Sequence, residues 1–112
     1  MTRLSQKRCT PCHDGMPSLT IPEATALVRD LDGWQLEPGP RLVKQWKLPD
    51  FASALALVNR IGAIAEAENH HPDITLGWGK VAVELWTHAA RGLTENDFIV
   101  AAKIDEAQAG HH

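Results

Sequence analysis

The sequence contains no apolar run that approaches the roughly 20 residues of a membrane-spanning helix, and it has no excess of basic residues. Lysine and arginine together number 11 and aspartate and glutamate 14, so the net charge is −3. A protein held on nucleic acid mainly by phosphate contacts is usually basic, so nucleic acid is not an expected partner. The first residues also lack the apolar segment of a secretory signal. We therefore expect a cytoplasmic protein that does not bind membranes.

Cysteine is scarce, and both cysteines lie in one short N-terminal segment, Cys9-Thr10-Pro11-Cys12-His13. The spacing suits haem attachment, half of a zinc site or a redox pair. The sequence shows no export signal for haem attachment, no second cysteine pair for zinc and no βαβ pattern for a redox motif. We interpret residues 1–18 as a flexible arm with two incidental thiols, and a weak metal site shared with His13 is the alternative.

The remaining residues, 19–110, have the hydrophobic pattern of one globular domain. Apolar residues at helical spacing predict helices that begin after the capping box of Thr20 and Glu23, after Asp50 and after Thr94. Alternating apolar and polar residues predict strands at 34–37, 41–48, 74–78 and 81–86. The order is α-β-β-α-β-β-α, and short hairpins favour antiparallel pairing because a parallel pair needs a crossover. We predict an α+β fold with a four-stranded antiparallel sheet and helices packed on one face.

The long second helix carries an apolar stripe, which we expect to face the core: Phe51, Ala54, Leu55, Val58, Ile61 and Ala65. If the helices cover only one face of the sheet, its other face or an edge remains available for self-association.

Two adjacent histidines, His70 and His71, lie where the second helix must stop, and Pro72 biases the residue before it towards an extended conformation. Histidine is the side chain best suited to proton transfer near neutral pH. The pattern shows neither a Ser-His-Asp nor a Cys-His arrangement for nucleophilic catalysis. Acid–base chemistry by histidine is therefore the favoured interpretation.

A third histidine, His88, follows the second strand of the second hairpin. Because the start of one hairpin strand lies beside the end of the other, we expect Asp73 to lie near Thr87 and His88. His88 would then converge with the two adjacent histidines at one end of the sheet. Asp97, in the first turn of the third helix, would cap that helix and reach the same end.

These positions resemble the pterin-4a-carbinolamine dehydratase family, and the arm resembles extensions of its bacterial members. The resemblance covers about Leu19 to Ala109 and rests on residues at fixed spacings: Glu66, His70-His71-Pro72, Trp78, Lys80, Thr87-His88 and Gly92-Leu93-Thr94 with Asp97. It implies an enzyme that removes water from 4a-hydroxytetrahydropterin to give quinonoid dihydropterin. This reaction recycles the pterin after aromatic amino-acid hydroxylation and needs no metal or organic cofactor.

The resemblance also implies roles for individual residues. His70 and His88 match the family's acid/base histidines, and His71 matches a histidine that holds the pterin and supports the chemistry. The expected substrate-binding residues are Glu66, Pro72, Trp78 and Asp97. The implied partners are the pterin substrate, a second copy in a homodimer or homotetramer, and a functional link to an aromatic amino-acid hydroxylase.

Two other function classes remain open. The three histidines could hold a zinc ion with one open position, as in hydrolytic zinc sites. Alternatively, the domain could be a non-catalytic, oligomeric binding or regulatory module of the same fold.

Overall fold

The computed structural model describes residues 3–109, in which four β-strands and three α-helices follow the predicted order α-β-β-α-β-β-α. The helices are α1 (Ile21–Val28), α2 (Phe51–Glu68) and α3 (Glu95–Ala109), and the strands are β1 (Gln35–Glu37), β2 (Arg41–Lys47), β3 (Asp73–Gly77) and β4 (Lys80–Leu85). Short 3-10 turns occupy Leu4–Gln6 and His88–Ala90. None of these helices combines the length and apolarity of a membrane-spanning segment.

The predicted capping residues begin two of the helices. The Thr20 side chain accepts from the Glu23 N–H, and the Glu23 carboxylate accepts from the Thr20 N–H, which completes a capping box for α1. Asp50 caps α2 by accepting from the Ser53 N–H at 2.7 Å. These caps satisfy backbone donors that the first helical turn leaves without partners.

The sheet has the strand order β1-β2-β4-β3, and every neighbouring pair is antiparallel. Along β4, Val81, Val83 and Leu85 are fully buried, whereas the residues between them are partly exposed. The three buried side chains join a core cluster with residues of α2 and α3. The predicted α+β fold, with helices packed on one face of the sheet, is confirmed.

The second hairpin has a two-residue turn, because Gly77 pairs with Lys80 and leaves only Trp78 and Gly79 between the strands. Counting back from that turn pairs Asp73 with Glu84. Asp73 was expected near Thr87 and His88, and its direct partner is Glu84, three residues before Thr87. Turn length sets the register of a hairpin, so this two-residue turn places Glu84, and not Thr87, opposite Asp73.

The predicted apolar stripe of α2 was partly wrong. The buried residues of α2 are Ala54, Leu57, Ile61 and Ala65, whereas Phe51 and Leu55 are 45% and 42% exposed. At about 100° per residue the two exposed side chains lie beside the buried row and not on it. The helix therefore presents apolar surface to solvent next to the side that packs on the sheet.

In the described part of the N-terminal arm, residues 3–18, the segment from Ser5 to Cys12 lies against α2 and α3. Gly15 instead donates its N–H to the Ala89 carbonyl in the turn after β4. Lys103 donates to the Ser5 carbonyl at 2.8 Å, and Thr10 exchanges two hydrogen bonds with the side chain of Asn96, at 3.0 and 2.8 Å. The predicted flexibility of the arm, and its boundary with the domain, stay predictions. Residues 1, 2 and 110 of the two predicted ranges lie outside the described residues.

Glu68, in the last turn of α2, is the main charged anchor of the arm. Its side chain is 5% exposed, accepts from the Cys9 N–H at 2.8 Å and pairs with Arg8 at 3.1 Å. Burial alone would raise the pKa of Glu68, but the Cys9 hydrogen bond and the charges of Lys103 and Arg8 lower it below its ordinary value of 4.5. The carboxylate therefore stabilises the docked arm above pH 4.5, and this contribution is lost as the pH falls through the lower native pKa.

We predict that Glu68→Ala loosens the arm without unfolding the domain. The Cys9 amide loses its charged acceptor, so its hydrogen exchange should become about 10–100-fold faster. Hydrogen-exchange NMR at neutral pH measures this rate, and Glu106→Ala, at an exposed position of α3, is the matched control. Equal Cys9 exchange rates in both variants would contradict the role given to Glu68.

Candidate active site

The end of helix α2 turns His70 into the interior. Asn69 adopts the left-handed conformation, with φ 53° and ψ 41°, and its N–H donates to the carbonyls of Ala65 and Glu66. The His70 N–H then donates to the Ala65 carbonyl at 3.2 Å. This Schellman-type ending reverses the chain direction within two residues. As a result, His70 is 7% exposed.

The buried His70 ring meets a buried carboxylate. His70 Nε2 lies 2.7 Å from Oδ1 of Asp97, a residue that is fully buried. The other carboxylate oxygen, Oδ2, accepts from the Thr87 hydroxyl at 2.8 Å and from the Thr94 N–H at 2.9 Å. A buried carboxylate is expensive unless its oxygens are hydrogen-bonded, and here both are. Asp97 therefore holds one orientation of the His70 ring.

The two threonines extend this network to the sheet. Thr87, just after β4, and Thr94, just before α3, join their hydroxyl groups at 2.9 Å. The Thr94 N–H bond to Asp97 is one half of the predicted capping box, while the Thr94 hydroxyl bonds Thr87 and not the helix. The network therefore joins the end of β4, the start of α3 and the end of α2.

The second ring nitrogen of His70 faces the N-terminal arm. The Cys12 sulfur lies 3.8 Å from His70 Nδ1, and the Asn96 side-chain amide donates to the same sulfur at 3.6 Å. This Cys12–His70–Asp97 arrangement was missed by the sequence interpretation, which found no Cys-His arrangement. No local signal identifies a contact between residues 58 positions apart.

The neighbouring histidine, His71, has a different environment. Its side chain is 54% exposed, and its Nε2 lies 2.5 Å from the Glu66 carboxylate, which is 78% exposed. The hydrogen bond of the His70 N–H to the helix end turns that residue inwards, whereas His71 lies one residue further along the loop and reaches solvent. An exposed pair of this kind contributes only about 0–1 kcal/mol to stability, so both groups are available to a ligand.

The third histidine, His88, is exposed and begins the 3-10 turn after β4. Its ring packs on Trp86, with centroids 3.8 Å apart and planes inclined at 41°. Its neighbour Thr87 is the residue that reaches the His70 and Asp97 pair. The convergence of His88 with the other two histidines stays a prediction.

Two predicted substrate-binding residues lie in different places. Pro72 is half-buried directly after the histidines, whereas Trp78 is 74% exposed in the hairpin turn. The five residues of β3 separate them, a distance of about 13 Å between the strand's ends at ~3.3 Å per residue. Within one chain, Trp78 therefore lies at the other end of the hairpin from His70, and its role in binding stays a prediction.

Metal binding has no geometric support in the part of the chain that the structure describes. Within residues 3–109, no group of three or more histidine, cysteine, aspartate or glutamate side chains is placed to hold a metal ion. Within the described residues, the structure therefore offers no support for a zinc site at the three histidines. It offers none for a metal site at Cys9, Cys12 and His13 either.

Known proteins resemble this chain along most of its length. Residues 17–107 match the family model described as pterin 4 alpha carbinolamine dehydratase. A Rickettsia canadensis protein, provisionally named pterin-4-alpha-carbinolamine dehydratase, is 49% identical over 94% of this chain and 97% of its own. A Rubrobacter xylanophilus protein of the same provisional name is 44% identical over 94% of this chain and 98% of its own.

Two solved structures share the fold. A Brucella melitensis protein, described as a transcriptional coactivator/pterin dehydratase, has a TM-score of 0.75 and 33% identity over 80% of this chain and 96% of its own. A pterin dehydratase-like protein, described as a RuBisCO assembly factor in the alpha-carboxysome, has a TM-score of 0.58 and 28% identity over 72% of this chain and 94% of its own.

We predict that Thr87→Val destabilises the protein by about 1–3 kcal/mol, because it removes a hydrogen-bond donor from a fully buried carboxylate while keeping the side chain's shape. Urea unfolding measures the change in the free energy of unfolding. The matched control is Thr75→Val, at an exposed position of β3. A loss for Thr87→Val no greater than that for the control would contradict the network.

Proposed function

The chain belongs to the pterin 4 alpha carbinolamine dehydratase family, and from that membership we propose that histidine acid–base catalysis removes water from 4a-hydroxytetrahydropterin. The enzyme is a dehydratase, or hydro-lyase, of that family. The proposed product is the quinonoid dihydropterin. The observation that carries the proposal is the buried His70–Asp97 hydrogen bond of 2.7 Å.

The proposed reaction needs proton transfer and no nucleophile. Loss of hydroxide from the carbinolamine carbon requires a proton on the leaving oxygen, while a ring nitrogen of the pterin gives up a proton. A histidine held in one orientation by a carboxylate suits such transfers, and positioned acid–base groups contribute typically 10²–10⁴-fold. Because Asp97 takes the Nε2–H of His70, Nδ1 is the nitrogen left to exchange a proton.

The other predicted site residues complete the proposed site. We assign His88 as the second acid/base group and His71, with Glu66 and Pro72, to holding the pterin. Trp78 would join them only from a second copy of the chain, because within one chain it lies at the other end of the hairpin. His71, Glu66 and His88 are exposed, which suits direct contact with a ligand. Asp97 is fully buried behind His70, so it acts on the substrate through that ring.

The proposed setting is the cytoplasm, where the reaction would recycle tetrahydropterin after an aromatic amino-acid hydroxylase. No cofactor takes part in this scheme, because the substrate needs only proton transfers to lose water.

A non-catalytic binding module is the second candidate function. The observation that favours it is the shared fold of the pterin dehydratase-like protein described as a RuBisCO assembly factor. A module of this kind would keep the fold and the apolar surface of α2 while its histidines did no chemistry. Dehydratase measurements on histidine variants separate the two candidates.

We predict that His70→Ala and His88→Ala each slow dehydration by roughly 10–10³-fold, through loss of one general acid or base. His71→Ala should raise KM at least as much as it lowers kcat. Stopped-flow assays with chemically generated 4a-hydroxytetrahydropterin measure these rates.

His13→Ala is the control for these variants, because His13 is exposed and its ring faces the neighbouring Asp14 carbonyl. A chelator should leave the wild-type rate unchanged, and chelator-sensitive activity restored by zinc would favour the zinc alternative. Full dehydratase rates in all three site variants would refute the proposed site.

We propose that the protein forms a homodimer or homotetramer through the exposed apolar side of α2. Sedimentation at micromolar concentration should give a mass of two or four chains, because Phe51 and Leu55 leave apolar surface in water in a single chain. Replacing both by serine should shift the mass towards one chain, whereas Thr75→Val should not. A single-chain mass for the wild-type protein would contradict this assembly.

A further inference from the structure

We propose that the N-terminal arm is part of the active site, with Cys12 as a positioning residue that controls the protonation of His70. The inference rests on the proposed role of His70 in dehydration, and it assigns a task to a thiol that the sequence analysis interpreted as incidental. The contact that motivates it is the 3.8 Å approach of the Cys12 sulfur to His70 Nδ1.

The hydrogen-bond directions around His70 define what Cys12 does. Asp97 Oδ1 accepts from the Nε2–H of His70, so in the neutral ring Nδ1 carries no proton and accepts. The Asn96 amide donates to the Cys12 sulfur at 3.6 Å, and with Nδ1 as an acceptor 3.8 Å away the thiol is the group that donates across this contact. In this arrangement Cys12 donates to a neutral ring, so the contact holds the tautomer of His70 that keeps its proton on Nε2.

The arm holds Cys12 in place through contacts on both sides of the site. Before Cys12 in the chain, the Cys9 N–H donates to Glu68 at the end of α2. Thr10 pairs with the side chain of Asn96, which is 3% exposed in the first turn of α3. The same buried Asn96 side chain thus fixes the arm and orients the Cys12 sulfur.

The weakness of a thiol as a donor leaves the site open to substrate. An S–H group forms a weaker hydrogen bond than an O–H or N–H group does. Cys12 is exposed, so a hydroxyl or ring N–H of the substrate can displace it from Nδ1. Cys12 would hold the ring neutral in the free enzyme and give way when the pterin arrives.

The two thiols of the arm differ in a way that supplies an internal control. Cys9 is half-buried and its S–H donates to the Asn96 carbonyl at 3.6 Å, away from the His70 ring. Burial, with the neighbouring Glu68 carboxylate, raises the pKa of Cys9 to about 12. At pH 8, alkylating reagents should therefore modify Cys12 and leave Cys9 unmodified.

The central test compares Cys12→Ala and Cys12→Ser with the control Cys9→Ser. Without a donor at Nδ1, His70 protonates more readily, so the limb of the kcat/KM profile that His70 controls should shift to higher pH in Cys12→Ala. At a fixed pH on that limb, kcat/KM should change by about 2–10-fold. Cys12→Ser keeps a donor and should return the profile towards that of the wild type, while Cys9→Ser should leave it in place.

An unshifted profile in Cys12→Ala, or an equal shift in Cys9→Ser, would overturn the proposal. If Cys12→Ala is faster than the wild type and its profile is unshifted, the proposal is also overturned, because Cys12 then only obstructs the site.

A readout independent of catalysis separates this inference from the proposed function. Nitrogen-15 NMR of the His70 ring should show its titration at higher pH in Cys12→Ala than in the wild type. If His70→Ala keeps full dehydratase activity, the proposed catalytic role of His70 fails, and the NMR titration still decides whether Cys12 acts on His70. Identical ring titrations in the wild type and Cys12→Ala would refute the inference whatever the activity.

Discussion

The hydrogen bond between His70 and Asp97 is the interaction on which the rest of this structure depends. It joins the end of α2 to the first turn of α3, and the threonines that hold Asp97 bring in the end of β4. A carboxylate with no exposed surface is tolerated only because each oxygen has a donor. The buried carboxylate of Asp97 needs donors for both oxygens, and by serving as one of these donors the His70 ring is held in one orientation.

Stability and chemistry share the same few groups at this junction. Thr94 begins α3 and also donates its N–H to the buried carboxylate, so helix capping and control of the site are not separate tasks. The pairing of β3 with β4 brings the end of β4 back towards His70, which precedes β3. The His70 ring bonds Asp97, and Thr87 at the end of β4 reaches the same carboxylate. A change at Thr87 or Thr94 therefore acts on the fold and on the orientation of His70 together.

The N-terminal arm adds a second layer to the junction. It is held by a buried carboxylate, Glu68, and by a buried amide, Asn96. Glu68 is the last residue of α2, and Asn96 lies in the first turn of α3, next to Asp97, the partner of His70. The acidic residue that holds the arm is two residues from the histidine, so docking of the arm and geometry of the site are coupled through one helix end.

The sequence by itself determined the element order, the caps at Thr20 and Asp50, and the place of the paired histidines at the end of a helix, because these depend on periodicity and on neighbouring residues. Only the tertiary structure decided that His70 is buried while His71 is exposed, that Phe51 and Leu55 face solvent, and that Asp73 pairs with Glu84. It also decided that Cys12 meets His70. Contacts of this kind join positions that are distant in the sequence, and the packing between helices and strands selects them. A local sequence pattern reports only the preferences of neighbouring residues, so it does not predict which distant residues will be in contact.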